Sequence, residues 1–263
     1  MNPLLDLAAR PVIAHRGASG YAPENTIAAF ELALAQGADA FELDVRLTAD
    51  GVPVVIHDPT LERTTDGAGA VSALPLGEVR HADAGARFTP DGGRSFPFRG
   101  RGLRIPTLAE VLRAFAGTAV LLEVKEPSGQ ETVRRVLLEE GAVERCVPAS
   151  EHAAALEAFR AAPFAYGASG REIAQLYRAA LLRLPPPRAR YRLLSVPERY
   201  RGLPVPTRRF VAAARSLGCP VHVWTVNRAS AARRLWRRGV AGIVTNYPDV
   251  IVGARQLNRT LSP

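Results

Sequence analysis

Four short stretches of this chain pair groups that can do acid, base or electrostatic work: His15-Arg16, Glu42-x-Asp44, His57-Asp58 and Glu123-x-Lys125. Alternate residues of an extended strand share a face, so Glu42 projects with Asp44, and Glu123 with Lys125. Three carboxylates gathered together repel one another and take up protons unless a cation neutralises them. Oxygen-only donors favour Mg2+ or Ca2+ over zinc. Glu42, Asp44 and Glu123 are therefore the expected ligands of one divalent cation, with open positions for water and substrate. Arg16 and Lys125 are cations that can hold an anion, and His15 and His57 can move protons near neutral pH. A divalent ion, two fixed cations and two histidines together describe phosphate-ester chemistry.

Composition singles out one member of this set. Of the 34 Lys and Arg residues, Lys125 is the one lysine. A compact ammonium can point at a phosphate oxygen beside a metal, where a forked guanidinium would compete for the carboxylates. A Schiff-base lysine is the competing reading, and the neighbouring carboxylates oppose it by holding the ammonium protonated.

Such a cluster needs elements that bring distant segments to one rim. Apolar runs at 11–15, 38–46, 119–125, 146–149, 164–168, 191–196, 220–226 and 241–245 read as strands. Helical periods at 24–36, 107–116, 130–140, 152–161, 171–183, 207–217, 229–238 and 248–255 alternate with them. Gly37, Gly117, Gly141, Gly218 and Gly239 sit just past helix ends. This alternation predicts an α/β chain folded as a (β/α)8 TIM barrel, whose active site lies at the C-terminal ends of its strands. An open doubly wound sheet is the alternative, but no GxGxxG follows the first strand.

One segment breaks the alternation. Thr48-Ala49-Asp50-Gly51 is a turn signal between 38–46 and a second β run at 52–57, which predicts a β-hairpin arm after strand two. A four-residue loop pairs Leu47 with Val52 and sets His57 opposite Glu42. Residues 58–105 then form a Gly/Pro-rich insertion before the second helix, too long for a plain connection and expected over the barrel mouth. The whole chain, 1–263, reads as a single domain.

Bulk properties constrain partners. The formal net charge is +9, but the arginines run from Arg10 to Arg259, so the expectation is a basic surface without a nucleic-acid site. Transient contact with a membrane surface fits that charge, and nothing implies an obligate protein partner. Cys146 and Cys219 have no metal-ligand spacing and read as buried small hydrophobes. The start, MNPLLDLAARPVIAHRG, lacks a basic segment before an apolar run, which predicts a cytoplasmic protein.

The stretch HRGASGYAPENTIAAFELALAQGADAFELDVRLTADGVPVVIHDPTLERTTDG, residues 15–67, resembles the glycerophosphodiester phosphodiesterase family. LLEVK, HVWTVN and GIVTNYPD resemble its later strand ends. The resemblance implies divalent-metal-dependent hydrolysis of a glycerophosphodiester to sn-glycerol 3-phosphate and an alcohol. By motif position it implies His15 and His57 as general acid and base, Glu42, Asp44 and Glu123 as metal ligands, and Arg16 and Lys125 as phosphate contacts. Asn25 would cap the first helix, Glu24 would hold the His15-Arg16 loop, and Trp224 would wall the pocket against the glycerol or leaving group. Ser150-Glu151 and Thr245-Asn246 depart from the Ser-Phe and Thr-Asp common in the family, which bears on the pocket's substrate side.

Phe88, Phe96, Pro97 and Phe98 lie beside Arg94, Arg99, Arg101 and Arg104 in the insertion. They read either as the insertion's own small core or as a receiver for an acyl chain, as lysophospholipase D activity would need. A non-catalytic phosphate-binding or anionic-membrane module is the remaining alternative.

Overall fold

The computed structural model describes residues 2–260. In chain order its elements are β1 (Val12–His15), α1 (Ile27–Ala35), β2 (Ala40–Leu47), β3 (Pro53–Val55), α2 (Leu76–Val79), α3 (Leu108–Ala114), β4 (Ala119–Val124), α4 (Gln130–Glu139) and β5 (Cys146–Ala149). There follow α5 (Gly170–Leu182), β6 (Leu194–Pro197), β7 (Arg199–Tyr200), β8 (Leu203–Pro204), α6 (Arg208–Ser216), β9 (Val221–Trp224), α7 (Ala229–Trp236), β10 (Gly242–Thr245) and α8 (Pro248–Thr260). The parallel strands run β5-β4-β2-β1-β10-β9-β6. The expected strand over 164–168 is reduced to Gly167, which bridges Leu193 in parallel and donates its N–H to Pro148 O at 2.8 Å. Arg192 N–H to Tyr166 O at 2.8 Å and Ala168 N–H to Leu193 O at 2.9 Å still tie this segment to the next strand, so the eighth position is occupied and the TIM barrel is nearly closed.

Strand alternation sorts the apolar residues. Val12, Ala14, Phe41, Leu43, Val120 and Leu122 pack outward in the cluster beneath the helices. Ile13, Ala40, Leu121, Val147, Leu193 and Val244 fill the barrel interior together with Leu4. Leu4 closes the N-terminal end of the barrel, where its carbonyl accepts the Nε2–H of buried His222 at 2.9 Å. Interior positions one step further along each strand carry polar groups, so the same alternation that builds the core builds the site.

Three expectations are corrected. The hairpin pairs Leu47 with Pro53, one residue beyond the expected Val52. Gly51 turns at φ 75°, and the Thr48 hydroxyl accepts the Val52 N–H at 3.0 Å, which lengthens the loop into a bulged turn. Ile56 then donates to Asp44 O at 3.0 Å, and His57 leaves the sheet instead of facing Glu42 within it. The segment expected as a helix over 152–161 is a 3-10 run, Ala153–Phe159, whose start at His152 has no side-chain cap. Finally, α1 is capped by Thr26, whose hydroxyl accepts from Ala29 N at 3.2 Å, not by Asn25.

Between β3 and α3 an aliphatic cluster forms from Val54, Ile56, Leu61, Val71, Val79, Ala82, Ala84 and Ile105. The phenylalanines are peripheral to it: Phe88 and Phe98 meet edge to face at 5.3 Å, and the Arg99 guanidinium covers Phe96 at 3.8 Å. Cys146 and Cys219 are free and buried, and burial pushes their thiols up to about 12 and about 11. Among the described residues no helix is long and apolar enough to cross a membrane.

Candidate active site

The polar residues cluster at the C-terminal ends of β1, β2 and β4. His15 pairs with Glu42 between β1 and β2, and Asp44 with Glu123 between β2 and β4. Carboxylate oxygens of Glu42, Asp44 and Glu123 lie within 4.8 Å of one another. Lys125 Nζ is 2.8 Å from Asp44 Oδ1 and 2.8 Å from Glu123 Oε2. Arg16 Nε is 3.0 Å from Asp44 Oδ2. Asp44, 0% exposed, therefore sits between two cations, the arrangement that makes a buried charge tolerable.

Backbone conformation aims Arg16. The chain leaves β1 with Arg16 at φ 58° and Gly17 at φ 82°, which returns the arginine over the end of β2, where its N–H donates to Glu42 O at 2.8 Å. A Cβ on Gly17 would stand 2.6 Å from the Ala29 backbone, so only glycine fits that turn. Asn25 also adopts φ 58°, donating Nδ2–H to Asp44 Oδ2 at 3.0 Å and its N–H to Arg16 O at 2.9 Å. Its place is beneath the carboxylates, holding Asp44, rather than at the helix cap. Left-handed non-glycine residues each carry on the order of 1–2 kcal/mol of strain, and two of them flank this cluster.

Glu24 accepts Arg16 Nη1–H at 3.0 Å. Its other contact was not visible in the sequence. Arg63, from the segment after β3, donates to Glu24 Oε2 at 2.9 Å and Oε1 at 2.7 Å, and through Nε to Asp58 Oδ2 at 2.5 Å. Asp58 in turn accepts the Nδ1–H of His57 at 2.6 Å. One chain of ion pairs thus runs Arg16, Glu24, Arg63, Asp58, His57. Only Arg63's basic type within the LERTTDG stretch hinted at it, because its partners are five and 39 residues away.

Asn246 makes a contact that the sequence did not reveal: its Oδ1 accepts the Nδ1–H of His15 at 2.7 Å. Its own N–H donates to Asn227 Oδ1 at 2.9 Å, and its carbonyl accepts from Gly20 N at 2.9 Å. His15 Nε2 then faces Glu42 Oε2 at 3.9 Å. Ser150, the other departure, donates its hydroxyl to Val124 O at 2.7 Å and steadies the end of β4. Trp224 stands at the end of β9 on this face, 41% exposed.

Environment separates the titrating groups. Burial, then the charges of Asp44 and Glu123, push the Glu42 carboxyl well above the usual range. Burial also acts on Asp44, but the Lys125 ammonium and Arg16 guanidinium outweigh it and hold that carboxyl down to about 2. Burial tends to lower Lys125, yet Asp44 and Glu123 leave it above its ordinary value. His15 is lowered to about 4, by burial and then by Arg16. Asp58 falls to about 2, chiefly through the hydrogen bond from Arg63.

The sequence model of the glycerophosphoryl diester phosphodiesterase family matches residues 15–250. A glycerophosphodiester phosphodiesterase of Caldanaerobacter subterraneus subsp. tengcongensis is 35% identical over 249 residues, covering 92% of this chain and 96% of that one. One from Bacillus subtilis is 31% identical over 259 residues, covering 90% and 84%. Among solved structures, an Oleispira antarctica phosphodiesterase in complex with the product sn-glycerol-3-phosphate superposes with TM-score 0.75 at 29% identity, covering 94% of this chain and 97% of that one. The glycerophosphodiester phosphodiesterase of Agrobacterium tumefaciens str. C58 gives TM-score 0.73 at 28% identity, covering 93% and 99%.

Proposed function

Because the chain belongs to the glycerophosphoryl diester phosphodiesterase family, a family of phosphoric diester hydrolases, we propose that it cleaves glycerophosphodiesters to sn-glycerol 3-phosphate and an alcohol, using a divalent cation and two histidines. The observation that carries this reading is the meeting of Glu42, Asp44 and Glu123 within 4.8 Å, beside His15, Arg16 and Lys125.

The residues fit a hard divalent ion. Three carboxylates face two cations, and Glu42 Oε2 and Asn25 Oδ1 are buried without a hydrogen-bond partner. Burial and its acidic neighbours make Glu42 favour protonation, a balance a cation would reverse. All donors are oxygens, which suits Mg2+ or Ca2+. When bound, the ion would supply Lewis-acid stabilisation of charge on the phosphoryl oxygens. Arg16 and Lys125 orient the phosphate through the donors that Asp44 does not occupy.

The two histidines suit opposite tasks. His15 is held neutral, with Nδ1–H fixed on Asn246 and Nε2 free, so it can take a proton from the attacking hydroxyl. His57 turns its Nδ1–H to the Asp58 carboxylate, which can share the charge of a protonated ring, so it suits proton donation to the leaving alcohol. Trp224 offers an apolar wall for the glycerol or leaving group. The reacting unit is one barrel, with 58–105 as an insertion that contributes Arg63 and the Asp58 end of the ion-pair chain.

His15→Ala and His57→Ala should each lose most turnover of glycerophosphocholine while keeping the wild-type melting temperature. Wild-type rates in either variant remove that histidine from the mechanism. Cleavage of lysophospholipids by the same groups is a second reading, favoured by the exposure of Trp224 at the rim. A Schiff-base role for Lys125 is disfavoured by its two carboxylate contacts.

A further inference from the structure

The C-terminal face of the barrel carries a second feature, outside the carboxylate cluster. β7 and β8 form a tight hairpin directly after β6, turning at Arg201 (φ 47°) and Gly202 (φ 83°), two left-handed residues that match a primed turn. Tyr200 and Leu203 pair across its strands and are 57% and 60% exposed. Arg199 and Arg201 flank them, and both are exposed. The hairpin's base leans on the site's own wall, because Pro197 pairs with Trp224 and Glu198 N–H donates to Trp224 O at 3.2 Å.

Against this hairpin opens a groove of about 580 Å³, lined by Glu198, Arg199, Pro204, Arg228, Arg234 and Arg238. Its one carboxylate, Glu198, is taken by Arg234 at 2.5 Å. Arg199 donates to a backbone carbonyl, Gly202 O, at 2.8 Å. Arg228 and Arg238 have no ion-pair partner among the described residues. Nearby, exposed Arg208 and Arg209 open α6, whose first turn holds no acidic residue, and Arg228 precedes α7 without capping it. Cations at helix N-termini oppose the helix dipole, so these arginines do not serve the helices. An external anion would satisfy them.

We propose that this face docks on an anionic lipid bilayer, with Tyr200 and Leu203 entering the headgroup boundary and Arg199, Arg201 and Arg228 meeting lipid phosphates. An aromatic and an aliphatic side chain beside snorkelling arginines match an interface that is apolar on one side and negatively charged on the other. A net charge of +9 complements that surface. A polynucleotide would engage the arginines but would leave exposed Leu203 without a partner. Docking this way turns the barrel mouth to the membrane, where diester headgroups are concentrated. That consequence rests on the phosphodiesterase reading; the docking itself does not.

The test is co-sedimentation of the full chain with vesicles of phosphatidylcholine alone and of phosphatidylcholine mixed with phosphatidylglycerol, at about 0.1 M salt. Binding should appear with the mixed vesicles and be absent with neutral ones. Tyr200→Ser/Leu203→Ser and, separately, Arg201→Glu/Arg228→Glu should each weaken it about tenfold or more, with unchanged melting temperature and unchanged turnover of glycerophosphocholine. A control pair, Leu181→Ser/Leu184→Ser, removes exposed leucines at the opposite end of the barrel and should change nothing. The proposal is overturned if neither vesicle type binds, if the leucine control alone abolishes binding, or if the hairpin pair leaves it unchanged. Heparin or an acidic peptide binding the hairpin variant as well as wild type, without vesicle binding, would assign the groove to a soluble polyanion. Vesicle binding by a wild-type protein that hydrolyses no diester would strike the reaction and leave the docking standing.

Discussion

The Nδ1–H of His15 donates to Asn246 Oδ1 across 2.7 Å, tying the end of the first strand to the residue that follows the last. Asn246 thereby selects which ring nitrogen carries the proton and leaves Nε2 free on the side of Glu42.

Removing that acceptor while keeping the shape tests the tie. Asn246→Leu should lower kcat about 10- to 100-fold with little change in KM, as expected of a residue that acts through His15. Asn246→Asp keeps the acceptor and should retain far more activity. Equal rates in all three proteins would show that the orientation of His15 is set elsewhere.

Arg63 separates catalytic support from stability. Its side chain is 46% exposed, so losing its ion pairs in Arg63→Gln should cost under about 1 kcal/mol in urea unfolding. Glu24 and Asp58 both lose their shared partner, so turnover should fall about tenfold or more. A variant as active as wild type would reduce the chain of ion pairs from Arg16 to His57 to surface decoration.

His222 gives a pH dependence with a definite sign. Burial lowers it from 6.5 to about 4, with its Nε2–H on Leu4 O. Below pH 6.5 the unfolded chain binds a proton that the folded chain refuses, so stability falls as pH drops from 6.5 to about 4 and is level above that window. Between pH 7.5 and 5 the loss from this group is about 2 kcal/mol, and His222→Gln should show correspondingly less. Gly242 faces the same ring, where a Cβ would stand 2.2 Å from Nδ1, so Gly242→Ala should destabilise by about 2–4 kcal/mol. An unchanged melting temperature in Gly242→Ala would contradict that packing.

Lys125→Arg keeps the charge but replaces one point donor with a fork that can grip two carboxylates. With Asp44 and Glu123 both 2.8 Å from Nζ, the guanidinium should tie up the cluster and cut turnover at least 100-fold in a folded protein. Near-normal activity would mean that any cation serves at position 125.

The parts legible in the sequence were those written in local periodicity. Alternation along Ala40–Leu47 and Ala119–Val124 placed Glu42, Asp44 and Glu123 on one face, and the structure brings them together. Features set by individual side chains were not legible. The Thr48 hydroxyl shifts the hairpin by one residue, and no period records it. Asn25 and Thr26 are both good caps by type, and only the left-handed turn at Asn25 decides that it reaches Asp44 instead. Arg63 and Asn246 meet partners through folding alone, the latter across 231 residues.

The most direct measurement is release of sn-glycerol 3-phosphate from glycerophosphocholine by metal-stripped protein, with Mg2+ or Ca2+ added back and then chelated. The account predicts product only with the divalent ion, and loss of both ion binding by titration calorimetry and turnover in Glu42→Gln. Undiminished turnover in metal-free buffer, or tight ion binding by the Glu42→Gln protein, would contradict it.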